Sequence, residues 1–137
     1  MNQKILAQAC FYDYPNIYSV DQADWEFWFR KHYASSKCNT LNTLFLTFFA
    51  TAAEFSIASI QEIVKSVFKA VAECHYILLC IPRNVVPDTN LTSVFKELKY
   101  TEQQDYCVMF QTTRDKHIPV LHIRNARLAI NENLKFF

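Results

Sequence analysis

The chain contains no glycine among its 137 residues, against an average usage of about 7%. Loops that cradle phosphates rely on backbone without a Cβ, so a glycine-rich phosphate loop of the usual form is excluded. Charge of one sign is also missing: the net charge is +1, so no overall field for nucleic acid or a membrane surface is expected. No apolar run approaches the ~18 residues of a membrane span. The start, Met1-Asn-Gln-Lys4, lacks the apolar core and cleavage site of a signal peptide. No two cysteines are spaced C-x-x-C, and no ligand cluster has finger-like spacing, so no metal site is expected. The five cysteines, Cys10, Cys38, Cys74, Cys80 and Cys107, read as buried, reduced thiols of a cytosolic protein.

What is abundant is apolar bulk. Half of the chain is hydrophobic (51%) and 15% is aromatic, enough for one domain with a real core. The organising stretch is 59–82. Ile60, Ile63, Val64, Val67, Phe68 and Val71 recur at helical spacing, which predicts a helix over 59–72 with one apolar stripe. Ser59-x-x-Glu62 reads as a capping box at its start. A nearly continuous apolar run at 75–81, closed by Pro82, predicts a buried strand. Another strand is expected at 41–49. Strand, helix, strand is then a right-handed βαβ unit with parallel strands.

Around this unit, 5–13 has apolar residues at both parities and is expected to be a strand covered on both faces. Asp21 is expected to cap a short helix ending near Tyr33, with Trp25, Trp28 and Phe29 on one stripe. Thr89 or Asn90 should cap a helix carrying Leu91, Val94, Phe95 and Leu98. Strands are expected at 106–111 and 120–123, a polar turn at 112–118, and the start of a helix at 131–137. The expected fold class is α/β, a mixed sheet with helices on both faces. The apolar stub at Leu134, Phe136 and Phe137 leads us to expect a fragment or short isoform of something longer.

Residues able to carry chemistry are scattered. His32, His75, His117 and His122 do not cluster. His75 and Cys80, five apart on one strand, face opposite sides and cannot form a base–nucleophile pair. Asp24 and Glu26 flank Trp25 on a solvated face. Trp25 and Trp28 are the interface candidates.

The block 41–111 resembles, in the order and spacing of its elements, the second half of the GCN5-related N-acetyltransferase fold. That family holds the CoA pyrophosphate with Arg/Gln-x-x-Gly-x-Gly/Ala at a helix start. The matching positions are Ala53-x-x-Ser56-x-Ala58. Ala58 fits the pattern. Ala53 removes the polar partner, Ser56 puts a side chain where backbone must approach phosphate, and Glu54 adds a negative charge. The family often protonates its leaving thiolate with a tyrosine in Tyr-x-x-x-Gly-Phe. The matching run begins with Phe95, which has no proton to give, and places Lys99 at the glycine. No catalytic residue, cofactor or metal is therefore expected.

Ile5-Leu-Ala-Gln-Ala-Cys-Phe-Tyr-Asp-Tyr-Pro-Asn16, Leu41-Asn-Thr-Leu-Phe45, Val67-Phe-Lys-Ala-Val71 and Leu121-His-Ile-Arg-Asn-Ala-Arg127 are similar, in order, to the N-terminal region of the cilia- and flagella-associated protein 61 family. The resemblance implies an axonemal protein of the calmodulin- and spoke-associated complex at the radial spoke base, supporting ciliary and flagellar motility. Its partners would be other axonemal proteins, with no nucleic acid and no membrane. It implies a degenerate acetyltransferase-like domain over 1–118 that lacks its opening elements, and the start of a second such domain over 119–137. The rival readings are an acyl-CoA-dependent N-acyltransferase with a non-standard CoA site, and a nonfunctional short isoform that folds poorly alone.

Overall fold

The computed structural model describes residues 4–34, 36–102 and 107–119. The elements in order are β1 (Ala7–Tyr12), α1 (Trp25–His32), β2 (Thr43–Thr51), α2 (Ser56–Ala70), β3 (Tyr76–Pro82), α3 (Thr89–Val94), β4 (Lys96–Glu97), β5 (Cys107–Thr113) and α4 (Arg114–His117). A 3-10 turn, Ala53–Phe55, leads into α2. The five strands form one mixed sheet in the order β1-β2-β3-β5-β4. β2 and β3 are parallel, and the other neighbours are antiparallel. The strand and helix expected at 120–123 and 131–137 lie outside the described residues.

Period-two alternation in β3 supplies both halves of the core. Ile77, Leu79 and Ile81 point to a cluster with Ile60, Val64 and Phe68 of α2 and with Leu91 and Val94 of α3. Leu78 points to the other face, to a cluster with Trp25 and Phe29 of α1, Phe45 and Met109. Helices therefore cover both faces, and the fold is α/β, as the sequence predicts.

Four local expectations need correction. β1 is not covered on both faces: Ala7, Ala9 and Phe11 are half-buried, but Gln8, Cys10 and Tyr12 are exposed. Among the described residues it is an edge strand, and α1 packs on the centre of the sheet rather than on β1. Asp21 does not cap α1. Its carboxylate accepts from the Ala23 N–H at 2.8 Å, one turn before the helix. The box at Ser59 is unused, because α2 starts at Ser56. The residues at 53–58 contain no helix breaker, so the helix begins earlier, and the Thr51 hydroxyl reaches the Ser59 oxygen from the strand at 3.4 Å. α3 is capped by Asp88, whose Oδ1 accepts from the Asn90 N–H at 2.8 Å. It also ends sooner than predicted. Phe95 is extended, so Phe95 stays in the α2-side core while Leu98 turns to the α1-side core.

Residues 114–117, expected as a plain turn, tie the sheet to α2. The Arg114 guanidinium donates to the carbonyls of Phe68, Val71 (3.3 Å) and Cys74 (3.2 Å). Phe68 lies in the last turn of α2, where carbonyls lack intrahelical donors, Val71 caps the helix and Cys74 follows it, so the cation sits at the helix C-terminus and complements the dipole. Arg114→Ala should destabilise the fold by about 1.5–3 kcal/mol, the range for hydrogen bonds to a charged group. Arg114→Lys should recover only part of this, since an ammonium on a more flexible stem is not pre-organised to meet the same carbonyls. Urea unfolding of the two variants measures both.

His117 stacks on the Phe68 ring at 5.7 Å and its Nε2 is 2.7 Å from the Thr112 hydroxyl. Burial first, then the neighbouring Lys116 charge, push its imidazole below the ordinary pKa. The unfolded chain binds this proton more readily than the folded one. The His117 contribution is therefore complete above about pH 6.5 and is lost as pH falls through the lowered value. The urea midpoint should drop between pH 7.5 and pH 5.5, and His117→Gln should flatten that drop. A His117→Gln variant with the full slope would assign the pH effect to another group.

Candidate functional site

The parallel strands fork. Pairing of β2 with β3 stops at Leu46↔Leu79, although β2 runs on to Thr51 and β3 to Pro82. The cause is local. Cys10 pairs with Phe48 and Phe11 with Leu46, so Thr47 is an extra residue, a β-bulge that bends β2. Its hydroxyl donates to the Cys10 carbonyl at 3.2 Å, holding the bend toward β1. The fork leaves a crevice of about 260 Å³ lined by Pro15, Ile17, Phe45, Thr47, Cys80 and Cys107 among others. A hydrogen bond with Cys107, reinforced by burial, pushes the Cys80 thiol up. It stays protonated at neutral pH, and a protonated thiol is a poor nucleophile.

The helix that starts beside the fork carries the positions expected for a CoA loop. Ala53, Glu54 and Phe55 form the 3-10 turn and are exposed. The Phe55 N–H donates to the Ala52 carbonyl at 3.0 Å, so that amide is already used. Ser56 is 6% exposed and fully helical, and Ala58 is exposed on the first turn of α2. No described residue has positive φ, so these residues do not form the alternating-hand nest that wraps an anion. The surface shown to solvent is the Glu54 carboxylate with the exposed side chains of Phe55 and Ile57. Negative charge and apolar carbon are the wrong chemistry for a pyrophosphate. Phe95 is 1% exposed within the α2-side core.

The two tryptophans separate. Trp25 is 0% exposed. Its Nε1 donates to the Asp13 carbonyl at 3.0 Å, and its ring meets Phe45 edge-on at 5.0 Å. Trp28, one turn on, is half-buried and lies against the His32 ring at 5.4 Å. Its Nε1 is buried and finds no acceptor among the described residues. His32 is tied to residues 101–102: its carbonyl accepts from the Thr101 N–H at 2.6 Å and its Nδ1 is 2.8 Å from the Glu102 carbonyl.

The remaining candidates stay apart. His75 is exposed, and Cys80 lies toward the opposite, α1-side core. Burial pushes the thiols of Cys38 and Cys74 up. Cys10 is exposed, against the expectation that all five cysteines are buried. Among the described residues, no three His, Cys, Asp or Glu side chains are placed to hold a metal ion. Glu26 is not simply solvated. Its carboxylate accepts from the Thr40 N–H, which lowers its pKa, and pairs with Arg30 at 3.5 Å. Sequence reasoning missed Arg114 and the Thr47 bulge. Neither has a local signal, because the carbonyls that Arg114 meets lie 40 or more residues away.

The family model described as cilia- and flagella-associated protein 61, N-terminal domain, matches residues 1–135. The chain belongs to that family. The match spans all four sequence blocks that carry the resemblance, at 5–16, 41–45, 67–71 and 121–127. Membership makes this a cilia- and flagella-associated domain, with axonemal proteins as the partners the family suggests. No helix of the described residues is long and apolar enough to cross a membrane.

Proposed function

We propose that this chain is a non-catalytic docking module of the axoneme at the radial spoke base, within the calmodulin- and spoke-associated complex, serving ciliary and flagellar motility. Residues 1–118 form a degenerate acetyltransferase-like domain, and 119–137 begin a second one. The forked parallel strands with a helix crossover support that likeness, because they leave the kind of cleft in which an acyl carrier could lie. The observation that carries the non-catalytic reading is the start of α2. There a buried serine, an exposed carboxylate and an exposed phenyl ring occupy the phosphate-binding positions. The module works through its surface, and Trp28, half-buried where Trp25 is fully buried, is the one of the two tryptophans with area to offer a partner.

Calorimetric titration with acetyl-CoA tests this. No heat of binding is the expected result, and saturable micromolar binding would favour an acyltransferase with a non-standard site. The double substitution Ser56→Gly with Ala53→Arg should gain weak CoA binding and no turnover, since Phe95 still has no hydroxyl. Acetyl transfer by that double variant, read as free thiol released, would overturn the role given to Phe95.

A further inference from the structure

Among the described residues, the two edges of the sheet are built differently. β4 is two residues long, and both, Lys96 and Glu97, are charged and exposed. Short, charged edges resist pairing with another strand. β1 has six residues, Ala7–Tyr12, with no charge and no proline. Its hydrogen-bonding parity is fixed. The Leu6 carbonyl accepts from the Ala52 N–H at 2.9 Å, so Leu6, Gln8 and Cys10 direct their backbone groups at β2. By alternation, Ala7, Ala9 and Phe11 direct theirs outward from the sheet edge.

We infer that this edge pairs with β1 of a second copy of the chain, antiparallel, about a two-fold axis at Ala9. The strand is its own complement in this register. Ala9 meets Ala9 of the second copy, and all three outward residues find partners. Phe11 lies opposite Ala7, large against small, on the α2 side. Gln8 lies opposite Cys10 on the exposed side. Lys4 and Asp13, both exposed, flank the strand at opposite ends, so antiparallel pairing places opposite charges near one another at each end of the ribbon, one position out of direct register. The contact is isologous and closes at two copies. This inference stands apart from the docking reading, since it uses neither the CoA positions nor the tryptophans.

The register fixes the experiment. Gln8 and Cys10 of the second copy form a non-hydrogen-bonded pair, whose Cα atoms approach to about 4.5 Å, within disulfide range. Gln8→Cys, mildly oxidised, should run as a covalent dimer on a non-reducing gel, with the introduced thiol joined to Cys10 in the peptide map. Adding Cys10→Ser should abolish the band. Cross-linking of the unsubstituted chain through two Cys10 residues would overturn the register.

A second variant does not depend on oxidation. The Ala9 N–H points away from β2, so Ala9→Pro costs no bond within the chain. Sedimentation velocity at tens of micromolar should give a dimer for the unsubstituted chain and a monomer for Ala9→Pro, whose far-UV circular dichroism stays that of the folded chain and whose melting temperature, unlike that of the unsubstituted chain, does not rise with concentration. A monomeric unsubstituted chain, or a dimer that survives Ala9→Pro, would overturn the inference.

Discussion

Phe68→Ala should remove about 3–5 kcal/mol of folding stability, the range for truncating a buried aromatic side chain. Phe68 is 0% exposed and sits with Ile60 and Val64 on the stripe of α2 that faces Ile77, Leu79 and Ile81 of the sheet. The His117 ring stacks on it from α4, so the cavity opens between three elements and cannot close by moving one. The backbone carbonyl of Phe68 also holds Arg114, and any shift of the helix end strains that contact. A loss of this size is comparable to the lower end of the whole stability of a domain. Chemical denaturation should show a midpoint displaced far below that of the unsubstituted chain. An unchanged midpoint would mean that this face of α2 does not pack on the sheet.

The stripe containing Phe68 was readable because helical periodicity depends only on residues three and four apart. The parallel pairing of β2 and β3 was readable for a related reason: a helical crossover leaves little choice of direction. Edge status was harder. The apolar residues of β1 at both parities suggest two covered faces, but burial is decided by where α1 lands, and that follows from Trp25 and Phe29 meeting Phe45 and Leu78. Helix limits failed where tertiary contacts set them. Ser59-x-x-Glu62 is a sound local cap signal, yet nothing in residues 53–58 stops the helix from starting earlier. The burial of Phe95 was legible from its place on an apolar face with Leu91 and Val94. The bulge at Thr47 was not, since it shows only in the pairing with β1.

Truncating the two tryptophans should give very different results. Trp25→Ala should cost about 3–5 kcal/mol, because it empties the centre of the α1-side core. Its ring lies edge-on to both Phe45 at 5.0 Å and Phe29 at 5.9 Å, contacts that add to simple burial. Its Nε1 bond to the Asp13 carbonyl anchors the chain as it leaves β1, so that connection loosens as well. Trp25→Phe should restore much of the packing and still lack that bond, leaving a deficit of about 1 kcal/mol. Trp28→Ala should cost far less, about 1 kcal/mol. Trp28 is half-buried, and its Nε1 has no acceptor to lose among the described residues. The same substitution is the one expected to weaken capture of axonemal partners, since a fully buried ring offers a partner no surface. Urea midpoints for the three variants, read beside binding to axonemal extract, separate the roles. A large stability loss for Trp28→Ala, or full partner capture without its ring, would place both tryptophans in the core and leave the docking surface elsewhere on the domain.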